Sequence, residues 1–270
     1  MALKRIAFCI LFCVSQVQSL NVDLAGSNLS SLPLSSIPTS VTSLILDNNV
    51  LTVVEFPDGY DILGSLRLKN NLLSEFPNLC SIKNSLVNLV LHTNRISDVN
   101  PQLMKCLQKM KSLNLGDNLL TSFPDVFMPR LETLKLFYNF FEGIPFIPDL
   151  GKTLNLLQIG NNPIKRLTRH SLDQLGALTL KMGWTPISTL PNLCHLKNSS
   201  ALTVSATDAY NLTCDCHIRW LQLVSPLNPI VEVNSAPCFS PVEMVGVNFH
   251  SIRPESLQCL GRPVLKVHLS

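Results

Sequence analysis

"MKSLNLGDNLL", residues 110–120, decides how the chain is read. Leu113 and Leu115 flank Asn114, the period-two alternation of a short strand that buries one face. An asparagine, Asn118, follows three residues after Leu115. The same pattern, apolar-x-x-Leu-x-Leu/Ile-x-x-Asn-x-apolar, returns in "VTSLILDNNVL" (41–51), "LGSLRLKNNLL" (63–73), "LVNLVLHTNRI" (86–96), "LETLKLFYNFF" (131–141) and "LNLLQIGNNPI" (154–164). The recurring residues are Asn49, Asn71, Asn94, Asn118, Asn139 and Asn162, spaced 22, 23, 24, 21 and 23 apart. Degraded copies flank them: "VDLAGSNL" (22–29), "LGALTLKMGWT" (175–185) and "SSALTVSATDA" (199–209), with Ser27, Gly183 and Thr207 expected in the Asn place. A fixed period of this length is the signature of stacked coils, each of which buries its apolar face only against its neighbours.

Physical chemistry accounts for the pattern. The leucines of each strand point inward and the residues between them point out. Successive strands stack in parallel at about 4.8 Å, so nine coils make a solenoid roughly 40 Å long. The tight turn after the strand leaves backbone groups that are costly to bury unpaired. Asn carries both donors and an acceptor and can meet them. After the Asn, several coils run into "SEFP", "TSFP", "EGIP" or "STLP" (74–77, 121–124, 142–145, 188–191), where proline opposes a long outer helix. "DVNPQLMKCLQ" (98–108) is the best helix candidate, with Pro101 near its start. Residues 76–91 and 190–205 are near duplicates, which predicts coils of two alternating kinds with a period near 45.

This repeat resembles the leucine-rich repeat family, over essentially residues 20–209. The resemblance implies an α/β solenoid: a leucine-rich repeat horseshoe of about nine coils with a parallel β-sheet on its concave face and a disulfide-bonded C-terminal cap.

"NLTCDCHIRWLQL" (211–223) places Cys214, Cys216 and His217 within four positions. That cluster reads either as metal ligands or as halves of two disulfides. Zinc wants four ligands, and His217, adjacent to Cys216, does not follow the usual spacing. The four cysteines Cys214, Cys216, Cys238 and Cys259 allow three pairings, which residue spacing alone leaves open. Residues 210–260 resemble the cysteine-rich cap of extracellular leucine-rich repeat proteins, through Asn211, Cys214, Cys216, Trp220, Leu221, Cys238 and Cys259. That resemblance implies Cys214–Cys238 and Cys216–Cys259. Cys80 and Cys106 fall in consecutive coils and are expected to form a third disulfide, the alternative being two buried thiols; Cys194 is left as a buried thiol or an intermolecular link. Relatives often carry a cysteine cluster before the first repeat, and here none lies between Leu20 and Cys80.

The first 19 residues, "MALKRIAFCILFCVSQVQS", have a basic start, a nine-residue apolar run and a small-residue end, the pattern of a secretory signal. The run is shorter than the roughly 20 residues a membrane-spanning helix needs. The expected organisation is signal 1–19, repeats 20–209, cap 210–260 and tail 261–270, in a secreted, extracellular protein. The formal charge of +3 falls to +1 once Lys4 and Arg5 are removed, which is no nucleic-acid footprint. Asn28, Asn198 and Asn211 are glycosylation acceptors.

The six histidines (92, 170, 195, 217, 250 and 268) are scattered, and no nucleophile elbow, zinc helix or phosphate loop is present. The expectation is a binding protein with no catalytic residues, metal or cofactor. Outward strand positions line the concave face, which repeat proteins use for recognition. Arg67, Lys69, His92, Lys135, Phe137, Tyr138 and Lys181 make the candidate ligand surface, basic with an aromatic centre. The ligand expected there is an extracellular protein or glycan, held by a monomer or weak homodimer, with innate immune recognition as the first role considered. The competing roles are a matrix or adhesion protein and the ectodomain of a truncated receptor.

Overall fold

The structure is a computed structural model that describes residues 19–176, 178–188, 203–205, 212–214, 231–232, 238–248 and 251–257. Nine three-residue strands carry the coils: β1 (Asn21–Asp23), β2 (Ser43–Ile45), β3 (Ser65–Arg67), β4 (Asn88–Val90), β5 (Ser112–Asn114), β6 (Thr133–Lys135), β7 (Leu156–Gln158), β8 (Thr179–Lys181) and β9 (Thr203–Ser205). Three more lie in the C-terminal segment: β10 (Leu212–Thr213), β11 (Val231–Glu232) and β12 (Cys238–Ser240). Strands β1 to β9 pair in chain order, and β11 adds a tenth strand beside β9. All pairings in this open, curved sheet are parallel. β10 and β12 form a separate parallel pair.

Strand register puts the middle leucines of coils 2 to 8 in one row: Leu44, Leu66, Leu89, Leu113, Leu134, Leu157 and Leu180. All seven are fully buried, as are their partners two residues on, from Leu46 to Met182. The core is therefore one continuous column, closed on the outer side by residues such as Phe76, Leu79, Met104, Phe123, Ile147 and Leu172.

The turns after β2 to β7 are each held by an asparagine. Asn139 is buried; its Nδ2 donates to Leu136 O at 3.1 Å within its own coil and to Leu115 O at 3.0 Å in the coil before. Its Oδ1 accepts from Leu120 N of that preceding coil at 2.9 Å. Asn49, Asn71, Asn94, Asn118 and Asn162 repeat the arrangement. One side chain thus satisfies backbone groups from two coils and fixes their spacing.

Coil 8 corrects the expected register. β8 pairs Leu180 with Leu157, which moves Thr185, not Gly183, into the asparagine place. Thr185 is fully buried and its hydroxyl donates to Met182 O at 2.8 Å. That hydroxyl has a single proton to give and gives it to its own coil, whereas the amide of Asn139 donates to two. Ile164 N, the group an asparagine there would receive, turns instead to Asn162 O at 2.8 Å. Position 207 lies outside the described residues.

The outer face also differs from the expected two-coil alternation. Helix α1 (Pro101–Cys106) follows β4 and α2 (Arg169–Asp173) follows β7; 3₁₀ turns follow β3 at Cys80–Ile82 and β6 at Leu150–Lys152, while no helix follows β2 or β5. From coil 2 to coil 7 the outer elements recur every third coil. The near-duplicate segments stand five coils apart, an odd number, which two alternating kinds cannot give. α1 starts where proline predicts: Asn100 caps it by accepting from Gln102 N at 2.8 Å, and Pro101 occupies the first turn. α2 has a capping box between Thr168 and Ser171.

Cys80 and Cys106 are disulfide-bonded, with 5.4 Å between their Cα atoms, and tie the outer sides of coils 3 and 4 together. Cys214 and Cys238 are bonded and buried, and join the core with Ile252 and Leu257. Cys194, Cys216, Cys259, Trp220 and Leu221, together with residues 1–18 of the expected signal, lie outside the described residues. Among the described residues no helix is long and apolar enough to cross a membrane.

Two stability measurements check this account. Asn139→Ala strands buried groups of two coils at roughly 1–3 kcal/mol each. We expect it to lower the urea-derived unfolding free energy by about 3 kcal/mol, while exposed Asn155→Ala changes it by less than about 0.5 kcal/mol. Replacing both Cys80 and Cys106 by Ser opens a loop of 26 residues, for which the chain-entropy relation gives a loss of about 3.5 kcal/mol.

Candidate functional site

Because leucines fill the inside and asparagines the turn, the positions between them are left to the concave face. Three rows run across the strands in register. The first holds Ile45, Arg67, Val90, Asn114, Lys135, Gln158 and Lys181. The second, two residues on, holds Asp47, Lys69, His92, Gly116, Phe137, Gly160 and Gly183. The third holds Asn48, Asn70, Thr93, Asp117, Tyr138, Asn161 and Trp184, all with φ between 52° and 61°.

The expected surface residues divide into three groups on this lattice. Arg67 is engaged: its guanidinium forks onto buried Asp47, with Nε 3.0 Å from Oδ2, and Lys69 N donates to the same carboxylate at 2.9 Å. Its charge is thus largely matched within the fold. His92, Phe137 and Tyr138 form an aromatic ridge. The His92 and Phe137 ring centroids are 5.2 Å apart, and those of Phe137 and Tyr138 are 6.0 Å apart, edge to face. His92 Nδ1 lies 3.0 Å from Gly116 O. Phe137 leans across Gly116, where a Cβ would sit 2.5 Å from the ring, so only glycine lets the ring lie there. Lys135 and Lys181 stand on either side of Gln158 in the first row, and neither enters an ion pair among the described residues.

Since Phe137 leans toward coil 4, the space on its other side is open. A cleft of about 460 Å³ lies there, lined by Phe137, Tyr138, Gln158, Gly160, Asn161, Lys181, Gly183 and Trp184. Sequence reasoning missed Trp184, which is 53% exposed, because the shifted register of coil 8 put it beyond the strand-facing turn. Matching "GWT" (183–185) to "GNN" (160–162) would have placed it beside Tyr138 and Asn161. Asn28 is exposed on the turn after β1; Asn198 and Asn211 lie outside the described residues.

A parallel open sheet, a ladder of buried asparagines and a disulfide-bonded C-terminal segment define a leucine-rich repeat solenoid with a cysteine cap. The profile described as Leucine rich repeat matches residues 84–143. The repeats are similar to those of human Leucine-rich repeats and immunoglobulin-like domains protein 3, 28% identical over 59% of this chain and 15% of that protein. The chain therefore spans a small part of that relative's length. Human 5T4, or trophoblast glycoprotein, superposes with a TM-score of 0.68 at 21% identity, over 88% of this chain and 95% of that one. Toll, solved in the glycosylated Toll–Spatzle complex of Drosophila, superposes with a TM-score of 0.68 at 26% identity, over 88% of this chain and 35% of that one. The protein resembles extracellular leucine-rich repeat proteins of the Toll-ectodomain kind, a class with a general binding role.

The packing of the ridge is testable by NMR. Gly116→Val should evict the Phe137 ring, and His92 ring-proton shifts should move in the same direction as they do in Phe137→Ala. Unchanged His92 shifts in Gly116→Val would contradict the packing described.

Proposed function

We propose that the protein is exported and acts as a recognition protein, holding an extracellular protein or glycan against its concave face. The observation that carries this reading is the ridge of His92, Phe137 and Tyr138 beside the uncommitted Lys135. Tyr138 is 56% exposed and His92 and Phe137 are half-buried, and an aromatic cluster that reaches the surface beside cations has the composition of a binding hot spot. Lys69 and Lys181 extend the surface to either side. Arg67 contributes its outer edge while its charge is matched by Asp47.

The two disulfides fit an oxidising compartment, and the apolar start of the chain reads as an export signal. Toll's capture with Spatzle supports a protein ligand by analogy of fold. Recognition in innate immunity is our preferred setting, with matrix adhesion second.

A capture experiment tests the reading. Tagged full-length protein is incubated with extracellular fluid, and bound species are identified by mass spectrometry. Lys135, Phe137 and Tyr138 changed together to Ala should lose the specific partner, while Phe127→Ser, an exposed residue away from the three rows, should retain it. Equal capture by the triple variant would rule out the concave face.

A further inference from the structure

The cleft beside the ridge has a chemistry of its own. Its floor is bare because Gly160 and Gly183 stand in successive coils of the second row. Gly160 has a structural reason: a Cβ there would collide with the carbonyl oxygen of Gly183. The consequence is a trough about two strands wide, roughly 10 Å. Gln158 and Lys181 form one wall and Tyr138, Asn161 and Trp184 the other, with Phe137 at one end.

Two features of the walls point to a ligand. Tyr138 has φ 52° and Trp184 φ 61°, the left-handed region, which is a true outlier for a bulky residue. The same row uses Asn48, Asn70, Asp117 and Asn161 elsewhere, the types that tolerate it. Strain of this kind clusters at ligand clamps; besides Thr93 in coil 4, it falls here on the two aromatics that flank one cleft. The second feature is polar capacity. The side chains of Gln158 and Asn161 have no hydrogen-bond partner among the described residues, and Lys135 and Lys181 are about 10 Å apart on either side of Gln158.

We propose that this trough is a saccharide site that takes a sugar unit bearing a carboxylate, a uronate. The reading rests on the concave face being the binding face and names the ligand class for one part of it. The apolar face of a pyranose stacks on Tyr138 and Trp184. The two amides, each donor and acceptor, meet ring hydroxyls. Lys181 receives the carboxylate, and Lys135, about 10 Å away across Gln158, adds to the positive field. The volume is in the range of about 300–1,000 Å³ typical of small-molecule sites. An extended acidic peptide fits less well. The backbone bordering the trough is already paired, Tyr138 N to Gly160 O and Asn161 N to Gly183 O, so no edge is open for a strand to add to.

The test titrates full-length protein with a tetrasaccharide of alternating glucuronate and N-acetylglucosamine, reading tryptophan emission and calorimetric heat. Its carboxyl-reduced counterpart and a hexaglutamate peptide are titrated in parallel. The glucuronate tetrasaccharide should bind saturably, and the neutral counterpart at least about tenfold more weakly, as should Lys181→Gln with the acidic sugar. Tyr138→Asn and Trp184→Asn should abolish binding while leaving the Tm unchanged or raised, because Asn tolerates the left-handed backbone. That combination separates a lost site from a lost fold.

The proposal is overturned by no binding at about millimolar sugar, which is the weak end of specific affinity. It is equally overturned by neutral and acidic sugars binding alike, by the peptide binding with the same dependence on Trp184, or by Trp184→Asn retaining affinity. Failure here with partner capture still abolished by the triple variant would leave the concave-face reading standing.

Discussion

A coil of this solenoid is too short to satisfy its own backbone. The chain leaves a three-residue strand and turns at once, so carbonyls and amides at the turn face the interior with no helix or hairpin to pair them. Buried groups of that kind cost roughly 1–3 kcal/mol each when left alone. The asparagine ladder removes the problem by borrowing across coils: the Nδ2 of Asn71 reaches Leu46 O of the coil before, and its Oδ1 accepts from Leu51 N. Stacking is thereby built into the hydrogen bonding of the turn, and a coil is complete only beside its neighbour. Coil 8, where Thr185 replaces the asparagine, shows the limit, since one hydroxyl serves its own coil and the link to coil 7 passes to the strand pairing and the core.

This division of labour explains why the concave face is available for recognition. Inward leucines and the turn asparagine absorb the structural demands of each coil. The outward positions are left with few, chiefly the need for small residues where a neighbour's backbone or ring comes close. Gly116 and Gly160 meet such needs, and each has a consequence for the surface. Gly116 lets Phe137 lie down and join His92. Gly160 leaves a floor without side chains. The relief of the face, a ridge over coils 4 to 6 and a trough over coils 6 to 8, follows from which residue of one row is large and which is absent.

Most of the fold is legible in the repeat itself. The paired leucines and the asparagine three residues after the second fix strand, turn and register for six coils, and Pro101 marks a helix start. What misled was degeneracy at the ends. In "LGALTLKMGWT" (175–185) the leucines at 175, 178 and 180 satisfy the template two residues early. Only packing of Leu180 and Met182 against Leu157 and Ile159 rejects that frame. The slip hid Trp184, and with it the trough. Arg67 was legible as outward-facing but not as an ion pair, because its partner, Asp47, lies one coil back and only register brings the two together. The outer elements were hardest to read, since short 3₁₀ turns and a six-residue helix are chosen by how neighbouring coils pack rather than by local propensity.

The left-handed residues join the ladder to the function. Position three of the concave face must take positive φ in every coil from β2 to β8, because the turn that aims the asparagine inward requires it. Asn or Asp meets that need at little cost in four of those coils, and Thr93, Tyr138 and Trp184 stand in the other three. These three meet it at a cost, and they persist there because the ladder on one side and the strand pairing on the other over-determine the backbone. A fold that dictates its backbone this strongly can carry side chains its local conformation disfavours. It can therefore hold two aromatic rings rigidly outward, with little conformational entropy left for a ligand to remove. The regularity of the interior is what permits irregularity on the face, and two of the three misfit residues of this row, Tyr138 and Trp184, border the trough.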